Sequence, residues 1–143
     1  MLAKLFVTVL APPAVVAEFE RLARDEPRFR GLRFPPFISV VAPGEIPPAI
    51  AHHDALDAGE IAALALAVGR GIRHVLIDET AARAAAIALG LQPSGLLGIL
   101  IEAKKRKHIS LVLPLLDLLR DGARFRVGDE LRQRIATLAG ESA

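Results

Sequence analysis

Residues 57–78 constrain the fold more than any other part of the 143-residue chain. The stretch opens with Asp57, a residue type that caps helices, and Glu60 stands three positions later at the spacing of a capping box. Ile61, Leu64, Ala65 and Val68 then recur at helical spacing as an apolar stripe, which Gly69 and Gly71 stop. Val75-Leu76-Ile77 follows as a short buried strand that ends in an acid, Asp78. A helix that turns at once into a buried strand is a building unit of layered α/β domains.

The rest of the chain repeats this alternation. Phe6-Val7-Thr8-Val9 reads as a strand, and Pro12-Pro13 starts a helix, because the N–H that Pro lacks has no partner in a first turn anyway. Val15, Val16, Phe19, Leu22 and Ala23 keep the helical spacing until Pro27. Residues 37–41 are a second strand, and residues 42–56, rich in Pro, Gly, Ala and His, a loop. After Asp78 a helix runs over 79–89 and stops at Gly90, and 91–93 is a candidate strand. Helices are predicted over 95–107 and over 111–120, with Pro114 in the first turn of the latter. Phe125-Arg126-Val127 is a candidate edge strand, and 129–138 a last helix. Strands alternating with helices predict a single α/β domain over 1–143 with a mainly parallel sheet. There is no internal repeat and no linker that divides it.

Composition removes several function classes. The chain has no Cys, which excludes disulfides, Cys-ligated zinc and a thiol nucleophile. With no Trp or Tyr and six Phe, a base-stacking platform built on many aromatics is not expected. The net charge of +2 does not by itself imply nucleic-acid binding. Residues 84–101 carry no charge, yet Gly90, Gln92, Pro93, Ser94 and Gly95 interrupt them, so no membrane span is predicted. The N-terminus is a poor match to a signal peptide, and the expected location is the cytoplasm.

Sites in parallel α/β sheets form at the carboxyl ends of strands. Asp78 sits at such an end, Glu60 opens the helix that feeds this strand, and Glu18 lies in the second turn of the helix after the first strand. Three carboxylates converging there would suit a hard cation such as Mg²⁺ or Mn²⁺. Each also has a structural reading: Asp78 as an N-cap, Glu60 as a capping-box residue, Glu18 on a solvated helix face. His52-His53-Asp54 has ligand types, but adjacent imidazoles rarely reach one ion. Neither a phosphate-binding Gly loop nor a G-x-S-x-G nucleophile turn is present. Lys104-Lys105-Arg106-Lys107-His108 is the strongest run of charge; it reads either as a solvated helix end or as a contact to phosphates.

Several segments together resemble the PIN-domain superfamily, and more closely a PIN-like family of prokaryotic proteins related to VapC-type toxins. They are residues 13–18, Leu56-Asp57-Ala58-Gly59-Glu60-Ile61 with the helix behind it, Val75-Leu76-Ile77-Asp78-Glu79, Arg83, Gly90-Leu91, 95–100, Ala103-Lys104 and Ala139-Gly140-Glu141. The resemblance implies a PIN-like three-layer α/β/α fold. It implies Glu18, Glu60 and Asp78 as catalytic acids, joined by Glu79 as ligands of Mg²⁺ or Mn²⁺. Lys104, Lys105, Arg106 and Lys107 would hold RNA. The activity implied is endoribonuclease cleavage of toxin–antitoxin type, with a small antitoxin protein and a second copy of the chain as partners. The family's first strand and its catalytic acid have no counterpart here, so the expected fold lacks the usual first strand. That leaves a second expectation, a catalytically inactive PIN-like remnant that binds protein or RNA, or dimerises.

Overall fold

A computed structural model describes residues 8–25, 27, 30–122 and 128–142. The chain divides into two compact units, Phe6–Gly95 and, from the next residue, Leu96–Ala143. The first unit holds β1 (Val9–Ala11), α1 (Pro13–Asp25), β2 (Ile38–Val40), α2 (Ala58–Arg70), β3 (His74–Leu76), α3 (Thr80–Ala88) and β4 (Gln92–Ser94). β1 pairs in parallel with β2, Val9 opposite Ile38 and Ala11 opposite Val40. β3 pairs in parallel with β4, His74 opposite Gln92 and Leu76 opposite Ser94. Parallel neighbours cannot be joined by a tight hairpin, so α1 lies between β1 and β2 in the chain, and α3 between β3 and β4. The α/β class and the parallel strands agree with the sequence reading. Among the described residues the strands form two ladders of two strands each.

The core of this unit gathers Ile50, Leu56, Leu64, Ala67, Val75, Ile77, Ala82, Ala85, Ala86 and Leu91. α2 starts under the expected capping box and ends where Gly71 adopts φ +66, a left-handed conformation that favours glycine. Its buried face is wider than the predicted stripe and differently placed: Leu66 and Ala67 are buried while Val68 is 41 % exposed. The reason is that α2 packs against both α1 and β3, and two contacts bury more than one face. Val75 in β3 and Ile77 just after it are buried but Leu76 is 44 % exposed, so one side of the ladder is covered rather than both. α3 begins at Thr80, one residue later than predicted, with Glu79 in the N-cap position.

The second unit holds α4 (Leu96–Lys105), α5 (Leu113–Gly122) and α6 (Asp129–Ala139). α6 packs on α4 and on α5 around a separate core of Leu100, Val112, Leu113, Leu116, Ile135 and Ala136. A two-pronged pair joins α5 to α6, Arg132 Nε and Nη2 donating to the Asp117 carboxylate at 2.9 and 3.0 Å. The candidate strand at 125–127, and Phe6 and Val7 of the first predicted strand, lie outside the described residues. Among the described residues no helix is long and apolar enough to cross a membrane. The uncharged stretch 84–101 is divided among α3, β4 and α4.

Candidate functional site

Asp57, in extended conformation, accepts the N–H of Glu60 on Oδ1 at 2.8 Å. Glu60 in turn accepts the N–H of Asp57 on Oε2 at 3.0 Å. The capping-box reading of Glu60 therefore holds, and one of its oxygens is engaged. Glycine at position 59 lets α1 approach this turn closely. A Cβ there would stand 3.2 Å from Glu18 Oε2, 3.4 Å from Asp57 Oδ1 and 3.6 Å from Val15 Cγ2. Glu18 thus reaches the first turn of α2, where the dipole of the helix favours negative charge. The structure brings Glu18 and Glu60 to one helix end and adds Asp57, which the sequence reading treated as a cap alone. The signal for Asp57 was Gly59, a bare position inside an otherwise well-formed helix start.

Asp78 follows β3 directly, and Ile77 extends the ladder by donating its N–H to Ser94 O at 3.0 Å. A Cβ at Gly95 would stand only 2.6 Å from Asp78 Oδ1 and 3.1 Å from Arg83 Nη1. Glycine at 95 is therefore what leaves room for the Asp78 carboxylate, and Arg83 of α3 shares that space. Asp78 does not occupy the N-cap position of α3; Glu79 does, with no side-chain cap bond of its own. Both acids are exposed.

The carboxylate oxygens suit a hard divalent cation in type. Their arrangement does not complete a site: among the described residues no three Asp, Glu or His side chains come together to hold a metal ion. Glu18 stands against Gly59 in the first turn of α2, and Asp57 and Glu60 are turned toward each other's backbone. Asp78 has its carboxylate at Gly95. The acids stand at the start of α2 and at the end of β3, in contrast to the three-acid convergence expected from the sequence.

The basic run is not one patch. Lys104 Nζ donates to Ala139 O at 2.6 Å and stands 3.1 Å from Glu141 Oε2. Glu141 Oε2 also accepts the N–H of Val112 at 2.8 Å, and Oε1 that of Leu113 at 3.2 Å. The Glu141 side chain is only 6 % exposed. Burial alone would raise its carboxyl, but the Val112 N–H, the Lys104 ammonium and the Leu113 N–H outweigh that and hold it below the ordinary carboxylate value. Lys104 is thus a structural cation, contrary to its expected place among RNA contacts, because a half-buried ammonium takes the nearest carbonyl and carboxylate. Lys105, Arg106 and Lys107 are exposed. Arg106 Nε lies 2.9 Å from Glu102 Oε1 one helical turn back, and Lys107, at φ +61, closes the end of α4.

A family model described as a PIN domain matches residues 1–141. No curated protein and no solved structure matches the chain.

Proposed function

The chain belongs to the PIN-domain family, and from that premise we propose that it is an endoribonuclease of toxin–antitoxin type, dependent on Mg²⁺ or Mn²⁺. PIN domains are nuclease-type modules that generally use divalent metal ions. The observation that supports the reading is the approach of Glu18, from α1, to Gly59 in the first turn of α2, whose flanking acids are Asp57 and Glu60. In this reading Glu18, Glu60 and Asp78 are the catalytic acids and Glu79 a further ligand. RNA is the substrate, a small antitoxin protein and a second copy of the chain are the partners, and the cytoplasm is the location. In this reading Glu18, exposed and outside the capping box, is the carboxylate that accepts a proton from water. The family match runs through both compact units, which supports treating them as one domain.

A second reading rests on a different observation. Since no three acids converge among the described residues, the chain is instead a PIN-like module that binds RNA or a protein without cleaving. The two separate on a labelled RNA incubated with purified protein in Mg²⁺ or Mn²⁺. The nuclease reading expects metal-dependent cleavage that falls at least about a hundredfold in Glu60→Gln/Asp78→Asn. Gln keeps the capping box, so loss of folding is not the expected cause. Absence of cleavage in both metals leaves the second reading standing.

A further inference from the structure

Residues 21–34 read Arg-Leu-Ala-Arg-Asp-Glu-Pro-Arg-Phe-Arg-Gly-Leu-Arg-Phe, five arginines against two acids. This short segment carries more net positive charge than the whole chain, whose total is +2. Two phenylalanines lie within it, and Phe19 stands two residues before it on α1. The last turns of α1 and the loop ahead of β2 enclose an open cleft of about 460 Å³. Phe19, Glu20, Arg24, Leu32, Arg33 and Phe34 line it. Phe19 and Phe34 meet edge to face with ring centroids 5.4 Å apart, which holds the loop against the helix. Arg24 has a side chain 71 % exposed and pairs with its neighbour Asp25, itself 57 % exposed. Solvent screens such a pair, so it does not tie the guanidinium down. Arg24 in a last helical turn also complements the helix dipole, but that explanation does not extend to Arg33, which lies beyond the helix.

We propose that this cleft binds single-stranded RNA, with Arg24 and Arg33 on phosphates and bases resting against the Phe19–Phe34 pair. The guanidinium fork matches phosphate oxygens, and an aromatic surface takes any base without reading its edge. The choice of RNA rests on the nuclease-type reading above; the cleft itself rests on charge, aromatic residues and shape. It moves the principal RNA contact away from residues 104–107, whose first lysine is held inside the second unit. It also connects to the acids: from Glu18 to Arg24 is about 9 Å along the axis of α1. A strand seated in the cleft reaches the carboxylate that faces the start of α2.

The test is fluorescence anisotropy of a short fluorescein-labelled oligouridylate on the full chain in EDTA, where metal-dependent cleavage does not intervene. Arg24→Ala/Arg33→Ala is expected to weaken binding about tenfold or more and to lower the salt slope by about 1.4. Both arginines are exposed, and an unchanged circular dichroism melt confirms the fold. Lys105→Ala/Arg106→Ala/Lys107→Ala is expected to change affinity less than about twofold. The cleft is overturned if wild-type protein does not bind the oligouridylate, or if the double arginine variant binds like wild type. It is also overturned if inorganic polyphosphate competes as well as unlabelled oligouridylate. Arginine-dependent binding without cleavage in either metal overturns the nuclease reading and supports the cleft. Cleavage with wild-type binding by the arginine variant does the reverse.

Discussion

Helices α2 and α5 both begin beneath carboxylates, but the carboxylates arrive by different routes. At α2 the acids are Asp57 and Glu60, three positions apart, each accepting the other's N–H in a solvent-facing turn. At α5 the acid is Glu141, which crosses 28 and 29 residues to accept the N–H groups of Leu113 and Val112. The local cap stands in water, whereas the distant one is buried and held by Lys104. Every helix start presents unpaired N–H groups, but nothing requires their partner to come from nearby sequence. The difference lies in what each cap joins. Asp57 and Glu60 secure one helix. Glu141 joins the end of α6, the start of α5 and, through Lys104, the end of α4.

If that contrast is right, removing the distant cap costs most. Glu141→Ala leaves the half-buried Lys104 ammonium without this opposite charge and two N–H groups without their acceptor, and a loss of about 3 kcal/mol is expected. Urea denaturation measures the size, and hydrogen exchange should place the loss of protection in residues 96–142. A loss below 1 kcal/mol, or one spread evenly over the chain, removes the distinction. Asp57→Ala comes second, at about 1 kcal/mol, because an exposed cap is partly replaced by water. Its lost protection should centre on the first turn of α2; equal losses from the two variants would make burial irrelevant to capping here. The mildest effect is that of acid. The Glu141 carboxyl is held below its ordinary value in the folded state, so its contribution is complete above the unfolded value of about 4.3. That contribution drains away as pH falls through the folded value. The stability gap between wild type and Glu141→Gln, measured from pH 7 downward, should therefore narrow only in that acid range. A gap that stays constant to pH 2 would mean the carboxylate charge is not what holds the contact.

The same contrast separates what the sequence revealed from what it hid. The start of α2 was legible because Asp57 and Glu60 are local signals, its end because Gly71 is one, and Pro13 marked the start of α1 in the same way. The parallel strand pairs followed from the alternation of elements. Val68 was misplaced because its exposure depends on which sides of α2 meet α1 and β3, a matter of tertiary packing. The role of Lys104 was hidden because Ala139 lies 35 residues away from it. At the candidate site, Glu60 as a capping acid was readable from spacing. The approach of Glu18 to Gly59 required knowing how α1 crosses α2, and Asp78 at Gly95 required the β3–β4 pairing. The arginine segment escaped notice because it straddles the end of a helix, where no single periodic template applies.

The distant cap also sets a timetable. The caps and core residues of the first unit all lie within Phe6–Gly95, so this part can settle while the ribosome is still adding residues behind it. α5 emerges with its first N–H groups bare and must wait a further 28 residues for Glu141 to be made. Closing that loop late keeps the second unit open to chaperones and proteases longer than the first.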